Sequence, residues 1–333
     1  MNQTERDSLT DNLISHLRKK PGQYFAWEKL ASKLQVERSE IDAALALAAD
    51  WEYKLRVNRT KGVKFVAAPD LLTSTEILHG LKTRRLGRIV HAYRSVKSTN
   101  DLAARLAEDG APEGVIVTAE EQTKGRGRLG RNWYSPPKTG IYLSIILRPT
   151  FPPEDAPGLS VMTAVALADT LIKWRPGLVQ IKWPNDIWIN GRKTAGILTE
   201  LSAERNGIHH VIVGVGINVN HRAGDFPEDL RATATSLRRE LRRKVDRVAL
   251  LRLFLANFEK EYTAYLKYRL RKSLARVREY SALLGRAVTL QSGQLRRTGV
   301  VKDIDRNGAL ILQTVTGLET ITAGEVTVVK PRG

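Results

Sequence analysis

The 333-residue sequence contains no cysteine, which excludes thiol nucleophiles, disulfides, iron–sulfur clusters and cysteine-ligated zinc. Histidine is scarce too: six are scattered at positions 16, 79, 91, 209, 210 and 221. None stands at metal-ligand spacing from a neighbouring carboxylate, so no metal-site residue is assigned. His209 and His210 are adjacent in an apolar run, where the side chains of a strand point to opposite faces and cannot chelate together. No apolar run approaches about 18 residues, so no membrane span is expected. The first twenty residues, MNQTERDSLTDNLISHLRKK, intersperse charge with Leu and Ile and lack the core of a secretory signal, which makes the cytoplasm the expected location.

What the sequence has in excess is positive charge, a formal net of +19. Its distribution is uneven: +1 over residues 1–80, +6 over 81–237, +10 over 238–278 and +2 over the rest. The basic stretch 238–278 has helical spacing and is either a solvated helix face or a surface that attracts an acidic partner or nucleic acid.

The densest local feature is GRGRLGRNW, residues 125–133. Its Gly-x-Gly-x-x-Gly spacing matches a dinucleotide fingerprint, which requires a strand before it and a helix after it. GVIVTAEEQ before it reads as a strand, but Pro136-Pro137 and the β-branched run from Ile141 follow it, so it is a loop between two strands. No Gly-Lys-Ser/Thr completes a P-loop either. The loop is therefore an anion-binding segment of another kind, or a solvated basic turn.

Around it the chain divides into three parts. Residues 6–67 carry three short helical stripes (Leu9, Leu13, Leu17; Leu30, Ala31, Leu34; Ile41, Leu45, Ala48) and two strands flanking NRTKG, the pattern of a helix-turn-helix with a β-hairpin wing. Its third helix presents Glu40 and Asp42 outside the core stripe, with Arg38 at its head; acidic groups there oppose phosphate, so cations for DNA must come from Arg38 and from the wing residues Arg56, Arg59, Lys61 and Lys64. In the middle part, Ser98-x-x-Asp101 reads as a helix cap, which can also turn Ser98, Thr99 and Asn100 toward a polar ligand. An apolar helix follows the basic loop; then come VQIKWPND, a hairpin with Asn190-Gly191 at its turn, and HHVIVGVGINVN. Period two places Val179, Ile181 and Trp183 on one face and Lys182 on the other, where a lysine is either solvated or in a site. The last part, 283–330, has short β runs at close spacing and reads as a small barrel.

KSTND, EEQTKGRGRLGRNW, KWPND, TAGILTEL, GVGINVN and FPEDLRATATSL occur in the order and at the approximate spacings of biotin protein ligases, and the chain resembles the type whose N-terminal winged helix also acts as the biotin operon repressor. Lipoate ligases share the catalytic architecture, but their Arg-rich, triple-glycine signature is absent. The resemblance covers nearly the whole chain and implies an α+β protein: a winged helix-turn-helix over 1–68, a class II synthetase-like mixed-sheet catalytic domain over 80–278 and an SH3-like β-barrel over 283–331. It implies activation of biotin by ATP, with Mg²⁺, to biotinyl-5′-AMP and transfer to a lysine of a biotin carboxyl carrier domain. Biotin-responsive repression through operator DNA by a homodimer is the second implied activity, the alternative being a ligase whose winged helix no longer binds DNA.

By the same resemblance Ser98, Thr99, Asn100 and Gln122 hold biotin's ureido ring, and neutral donors and acceptors suit that uncharged ring. Arg126, Gly127 and Arg128 form the loop over the carboxylate and phosphate, Lys182 is the cation at the attacking oxygen, and Lys182 and Arg128 carry catalysis. Gly196, Ile197 and Leu198 line the biotin pocket. Arg128, Arg131, Lys182 and Asn218 are expected at the nucleotide. Trp133 either walls the site or fills core.

Overall fold

The structure, a computed structural model, describes residues 3–174, 179–204, 207–292 and 295–329. The chain forms two compact units, Met1–Leu81 and Lys82–Gly333.

In the first unit α1 (Gln3–Arg18), α2 (Trp27–Leu34) and α3 (Arg38–Asp50) are followed by the hairpin β1 (Lys54–Asn58) and β2 (Gly62–Ala67) and by the short α4 (Ser74–Leu78). Leu13, Leu17, Leu30, Ile41 and Ala48 from the three sequence stripes meet in one buried cluster. The hairpin turn is fixed locally, because Asn58 Oδ1 accepts hydrogen bonds from the backbone N–H of Thr60 and of Lys61, at 3.0 and 2.8 Å. Only glycine fits at its end: Gly62 has φ +95°, and a Cβ there would stand 1.8 Å from the carbonyl oxygen of Phe25. Trp27 Nε1 donates to the carbonyls of Asn58 and Arg59 at 3.2 and 3.0 Å, bracing the wing against α2.

The second unit begins with β3 (Val90–Val96), α5 (Thr99–Glu108), β4 (Ile116–Gln122), β5 (Gly140–Leu147), α6 (Gly158–Ile172), β6 (Val179–Lys182), β7 (Asp186–Ile189), β8 (Arg192–Glu204) and β9 (Gly207–Asn218). The strands make one mixed sheet in the order β3-β4-β5-β9-β8-β7-β6, with β3 and β4 parallel and all other neighbours antiparallel. Asn190 and Gly191 turn β7 into β8 with φ +52° and +71°, as a two-residue hairpin of this handedness requires. His209 is exposed and His210 buried on β9, as the alternation predicts.

After β9 come α7 (Glu228–Arg231), α8 (Leu237–Leu241), α9 (Arg247–Tyr268) and α10 (Leu274–Tyr280). α5 packs on one face of the sheet through Ala103 and Ala107 against Val117, Ile146 and Ile212. α6, backed by α9, packs on the other, where Ser160 and Thr199 share a hydroxyl contact of 2.8 Å. The helical stretch Pro153–Ile172 is the one described segment long and apolar enough to cross a membrane. Its most apolar window is 72% buried inside the protein, the usage of a core helix.

Strands β10 (Ala287–Ser292), β11 (Leu295–Ile304), β12 (Leu310–Thr314), β13 (Gly317–Ile321) and β14 (Glu325–Val328) form a separate antiparallel sheet, ordered β13-β12-β11-β10-β14. It is tied to the larger sheet where Trp183 Nε1 donates to the carbonyl of Gly308 at 2.7 Å.

The basic stretch 238–278 is less exposed as charge than its composition suggests. Arg269 pairs with Asp155, Arg276 with Asp169 and Glu261, and Arg278 with Asp303. Arg247, fully buried, pairs with Glu120 at 2.8 Å and donates to the carbonyl of Gly140 at 3.0 Å. A buried pair is costly to break on one side only. Arg247→Met is therefore expected to lower unfolding free energy by about 3–5 kcal/mol in a denaturant titration, and adding Glu120→Leu is expected to recover part of that loss.

His221, just beyond β9, is fully buried and stacks on Phe226 with ring centroids 4.9 Å apart. Burial pushes its pKa down to about 4, with Asp225 opposing and Arg247 reinforcing the shift. The folded imidazole resists protonation that the unfolded chain accepts near pH 6.5, so the unfolded state binds more protons between these values. Stability contributed by this group is full above about pH 6.5 and falls as pH drops toward 4. Chemical denaturation should show about 2 kcal/mol lost between pH 7 and pH 5, and this loss should be absent from His221→Asn.

Candidate active site

The site lies on the α5 face of the larger sheet, beside the N-terminus of α5. Ser98 caps that helix, its hydroxyl accepting from the N–H of Asp101 at 3.4 Å. The cap turns the next two residues toward the sheet. Thr99 donates to Gln122 Oε1 twice, from its backbone N–H at 2.9 Å and from its hydroxyl at 3.1 Å. Gln122 Nε2 donates to Ser135 Oγ at 2.9 Å, and Ser135 in turn to the carbonyl of Trp133 at 3.0 Å. Ser144 Oγ on β5 lies 2.9 Å from Thr99 Oγ1 and 2.5 Å from Asn100 Oδ1. The result is a run of uncharged donors and acceptors that satisfy one another.

The floor beneath them is made of missing side chains. A Cβ at Gly214 would lie 2.1 Å from Asn100 Oδ1, and one at Gly216 would lie 2.4 Å from the Trp133 indole. At Gly196 on β8 it would meet the same indole at 3.1 Å. Trp133 thus lies over glycines of two adjacent strands, and its Nε1 is buried with no hydrogen-bond partner among the described residues. Of the three residues expected to line a pocket on β8, Gly196 and Leu198 share this face. Ile197 is buried on the α6 side and offers the site only its backbone, both groups of which are held by Asn185 at 2.8 and 2.9 Å. Asn218, buried, ends β9 opposite Gly140.

The cations differ in how they are held. Arg128 donates to Asn185 Oδ1 at 3.1 Å, and burial lowers its pKa, with Asp186 opposing. Lys182 sits at the end of β6 with Nζ 4.8 Å from the centroid of the Trp188 ring. Among the described residues it has no hydrogen-bond acceptor and no ion-pair partner. Burial pushes its ammonium below the usual lysine range, Asp186 opposing and Lys193 adding to the shift. Arg126 points to two carboxylates, Asp101 at 2.6 Å and Glu200 at 2.9 Å. Arg131 reaches Glu325 of β14 at 2.7 Å. Between these arginines Gly127 N donates to the carbonyl of Arg131 at 2.7 Å, and Leu129, at φ +56°, stands 72% exposed at the loop tip.

Several residues here escaped the sequence reading. Lys193 pairs with Asp186 at 2.7 Å and lies 5.3 Å from the Trp133 ring centroid. Ser144 and Glu200 are single polar residues in apolar or mixed strands, and Ser135 lies in the connection before β5, with no local signature. Gly214 and Gly216 did leave a signal, since alternating glycines inside a strand mark a close approach to one face.

In the first unit Arg56, Arg59 and Lys61 are exposed on the wing. Arg38 is committed elsewhere: its guanidinium lies 3.2 Å from the Trp27 ring centroid and donates to Asp42 at 3.1 Å.

Comparison with known proteins gives the family of the chain. Residues 92–218 match the biotin/lipoate A/B protein ligase family, and residues 283–329 match the biotin protein ligase C-terminal domain. The bifunctional ligase/repressor BirA of Bacillus subtilis (strain 168) is 34% identical over 323 residues, covering 96% of this chain and 99% of that protein. A biotin–[acetyl-CoA-carboxylase] ligase of Paracoccus denitrificans is 35% identical over 69% of this chain and 96% of its own length. A solved biotin protein ligase from Aquifex aeolicus, in complex with biotin and ATP, matches with TM-score 0.64 at 29% identity, covering 73% of this chain and 100% of that one. A relative of this similarity, matched from end to end, together with both domain matches, means that the chain belongs to the biotin protein ligase family.

Proposed function

We propose that this chain activates biotin with ATP to biotinyl-5′-AMP and transfers the biotinyl group to a lysine of a carrier domain. The observation that carries this reading is Lys182: a half-buried ammonium with no ion pair among the described residues, its cross-strand neighbour Asp186 being paired to Lys193. A second half-buried cation, Arg128, feels the same carboxylate. A carboxylate attacking the α-phosphate of ATP brings two anions together, and a cation fixed in advance where their charges meet lowers that barrier. The attacking carboxylate is already ionised at neutral pH, so no protein base is required. Thr99, Asn100 and Gln122, with Ser144 and Ser135, supply the neutral donors and acceptors a ureido ring exchanges for their mutual bonds. Trp133 and the glycine floor supply apolar area for the rest of biotin. Arg131 and Asn218 are assigned to the nucleotide side.

Mg²⁺ fits as an ion carried on the triphosphate. Such an ion keeps several waters and needs only one or two protein carboxylates, and Asp186, the cross-strand partner of Lys182, is the carboxylate that would hold it. Bound there it would neutralise phosphate oxygens. In the transfer step the acceptor lysine attacks the mixed anhydride and AMP leaves. The exposed cations left in 238–278, such as Arg242 and Arg243, provide a surface for an acidic carrier.

Biotin-responsive repression is the second activity we assign, on the strength of a relative named bifunctional ligase/repressor. Arg56, Arg59 and Lys61 are the phosphate contacts, and a homodimer would join two half-sites. Arg38, already on Trp27 and Asp42, would contribute only after leaving them.

Lys182→Ala is expected to lower the rate of adenylate formation about 10²–10³-fold while biotin affinity stays within about threefold. Rapid-quench kinetics and calorimetry read these two quantities, and equal rates in the two proteins would remove Lys182 from the chemistry. A mobility-shift titration on the DNA upstream of the chain's own reading frame, with biotin and ATP present, is expected to show retardation. Arg59→Ala should then reduce the slope of log K against log salt by about 1 per protomer. No retardation at micromolar protein would leave a ligase whose winged helix does not bind DNA.

A further inference from the structure

Glu200 is placed between the two halves of the site. It stands on β8, on the face that carries Gly196 and Leu198, opposite to its neighbour Thr199, which bonds α6. One of its oxygens, Oε2, accepts from Asn100 Nδ2 at 2.6 Å and from Arg126 Nη2 at 3.1 Å, and Oε1 lies 2.9 Å from the same guanidinium. Asn100 belongs to the neutral cluster on the sheet, and Arg126 to the glycine-arginine loop. The other carboxylate on Arg126 is Asp101, one residue along α5 from Asn100. A single acidic side chain therefore contacts the group that reads a neutral ligand and the cation of the loop that covers it.

The charges and exposures give this contact a direction. Arg126 is 43% exposed, Glu200 35% and Asp101 46%, so the pairs are screened by water and can exchange. One cation faces two anions, leaving the cluster with a formal excess of one negative charge. While that holds, the loop's first arginine is turned to the protein's own carboxylates and away from an incoming anion. Asn100 has a different dependence on Glu200. Its Oδ1 is fixed by Ser144, so its amide nitrogen must face β8, where Glu200 is the near acceptor and the carbonyl of Leu198, at 3.4 Å, the far one.

We propose that Glu200 is a positioning residue: it orients the Asn100 carboxamide in the biotin site and, together with Asp101, holds Arg126 and its loop in the ligand-free conformation. This rests on the assignment of biotin to the Asn100 cluster. An arriving carboxylate or phosphate competes with Glu200 and Asp101 for Arg126, while Asn100 stays bonded to Glu200, so the loop can move without disturbing the recognition of the neutral ring.

The test compares the full-length wild type with Glu200→Gln and Glu200→Ala by two readouts, biotin affinity from calorimetry and the rate of tryptic cleavage at Arg126, Arg128 and Arg131 without ligand. Glu200→Ala is expected to weaken biotin about tenfold, the loss of one hydrogen bond of ordinary strength. Glu200→Gln keeps an acceptor for Asn100 and is expected to recover most of that affinity. Both variants remove one of the two carboxylates on Arg126 and are expected to raise loop cleavage severalfold. The coupling is overturned if Gln weakens biotin as much as Ala does, or if cleavage is unchanged in both. Should wild type fail to bind biotin, the ligand assignment falls, while cleavage in the ligand-free proteins still decides whether Glu200 holds the loop.

Discussion

The space a Cβ would occupy at Gly214 and at Gly216 is already filled, at 2.1 Å by Asn100 and at 2.4 Å by the Trp133 indole. Two alternate positions on β9 thus carry no side chain, and both the N-terminal turn of α5 and the C-terminal arm of the glycine-arginine loop rest directly on backbone. A methyl group at Gly214 would displace Asn100, and with Asn100 would go its contacts to Ser144, Leu198 and Glu200. One at Gly216 would lift the indole off the sheet. The position of the polar cluster, the seat of the loop and the orientation of Glu200 all follow from that close approach.

Charge is distributed around this floor by degree of commitment. Arg247 is wholly buried with Glu120 and serves the fold. Lys193 is paired with Asp186, and Arg126 with two carboxylates. Arg128 is held by a neutral amide, and Lys182 has an aromatic ring at 4.8 Å and no ion pair among the described residues. Moving along this series, the protein satisfies its own cations less and less, and those least satisfied are half-buried, where an anion would be worth most to them. Arg131 and Glu325 connect the far end of the loop to the smaller sheet, so β14 contributes to the electrostatics of a site built on other strands.

Much of this was legible in the sequence because it depends on periodicity or on local turn chemistry. The three leucine and alanine stripes gave the first unit's core, Asn190-Gly191 gave the β7–β8 turn, and alternation in VQIKW separated Lys182 from Val179, Ile181 and Trp183. Short motifs in order identified the family. What escaped depends on contacts between distant segments. Nothing near Ser144 or Glu200 in sequence announces a polar partner, since each finds it on α5, some 44 and 100 positions away. The charge of 238–278 has the same origin: composition does not tell that Arg247 is buried on Glu120, or that Arg269, Arg276 and Arg278 each pair with a carboxylate brought in by folding.

Leu129 combines two properties described separately above, a left-handed backbone at the tip of the loop and 72% exposure. In a chain with no native thiol, a cysteine at that position would be the sole site for maleimide chemistry. A fluorophore or nitroxide attached there would sit at the loop's most outlying point, with no competing label elsewhere. The absence of cysteine, first a limit on chemistry, thereby makes the position of the loop open to spectroscopy in the otherwise unmodified protein.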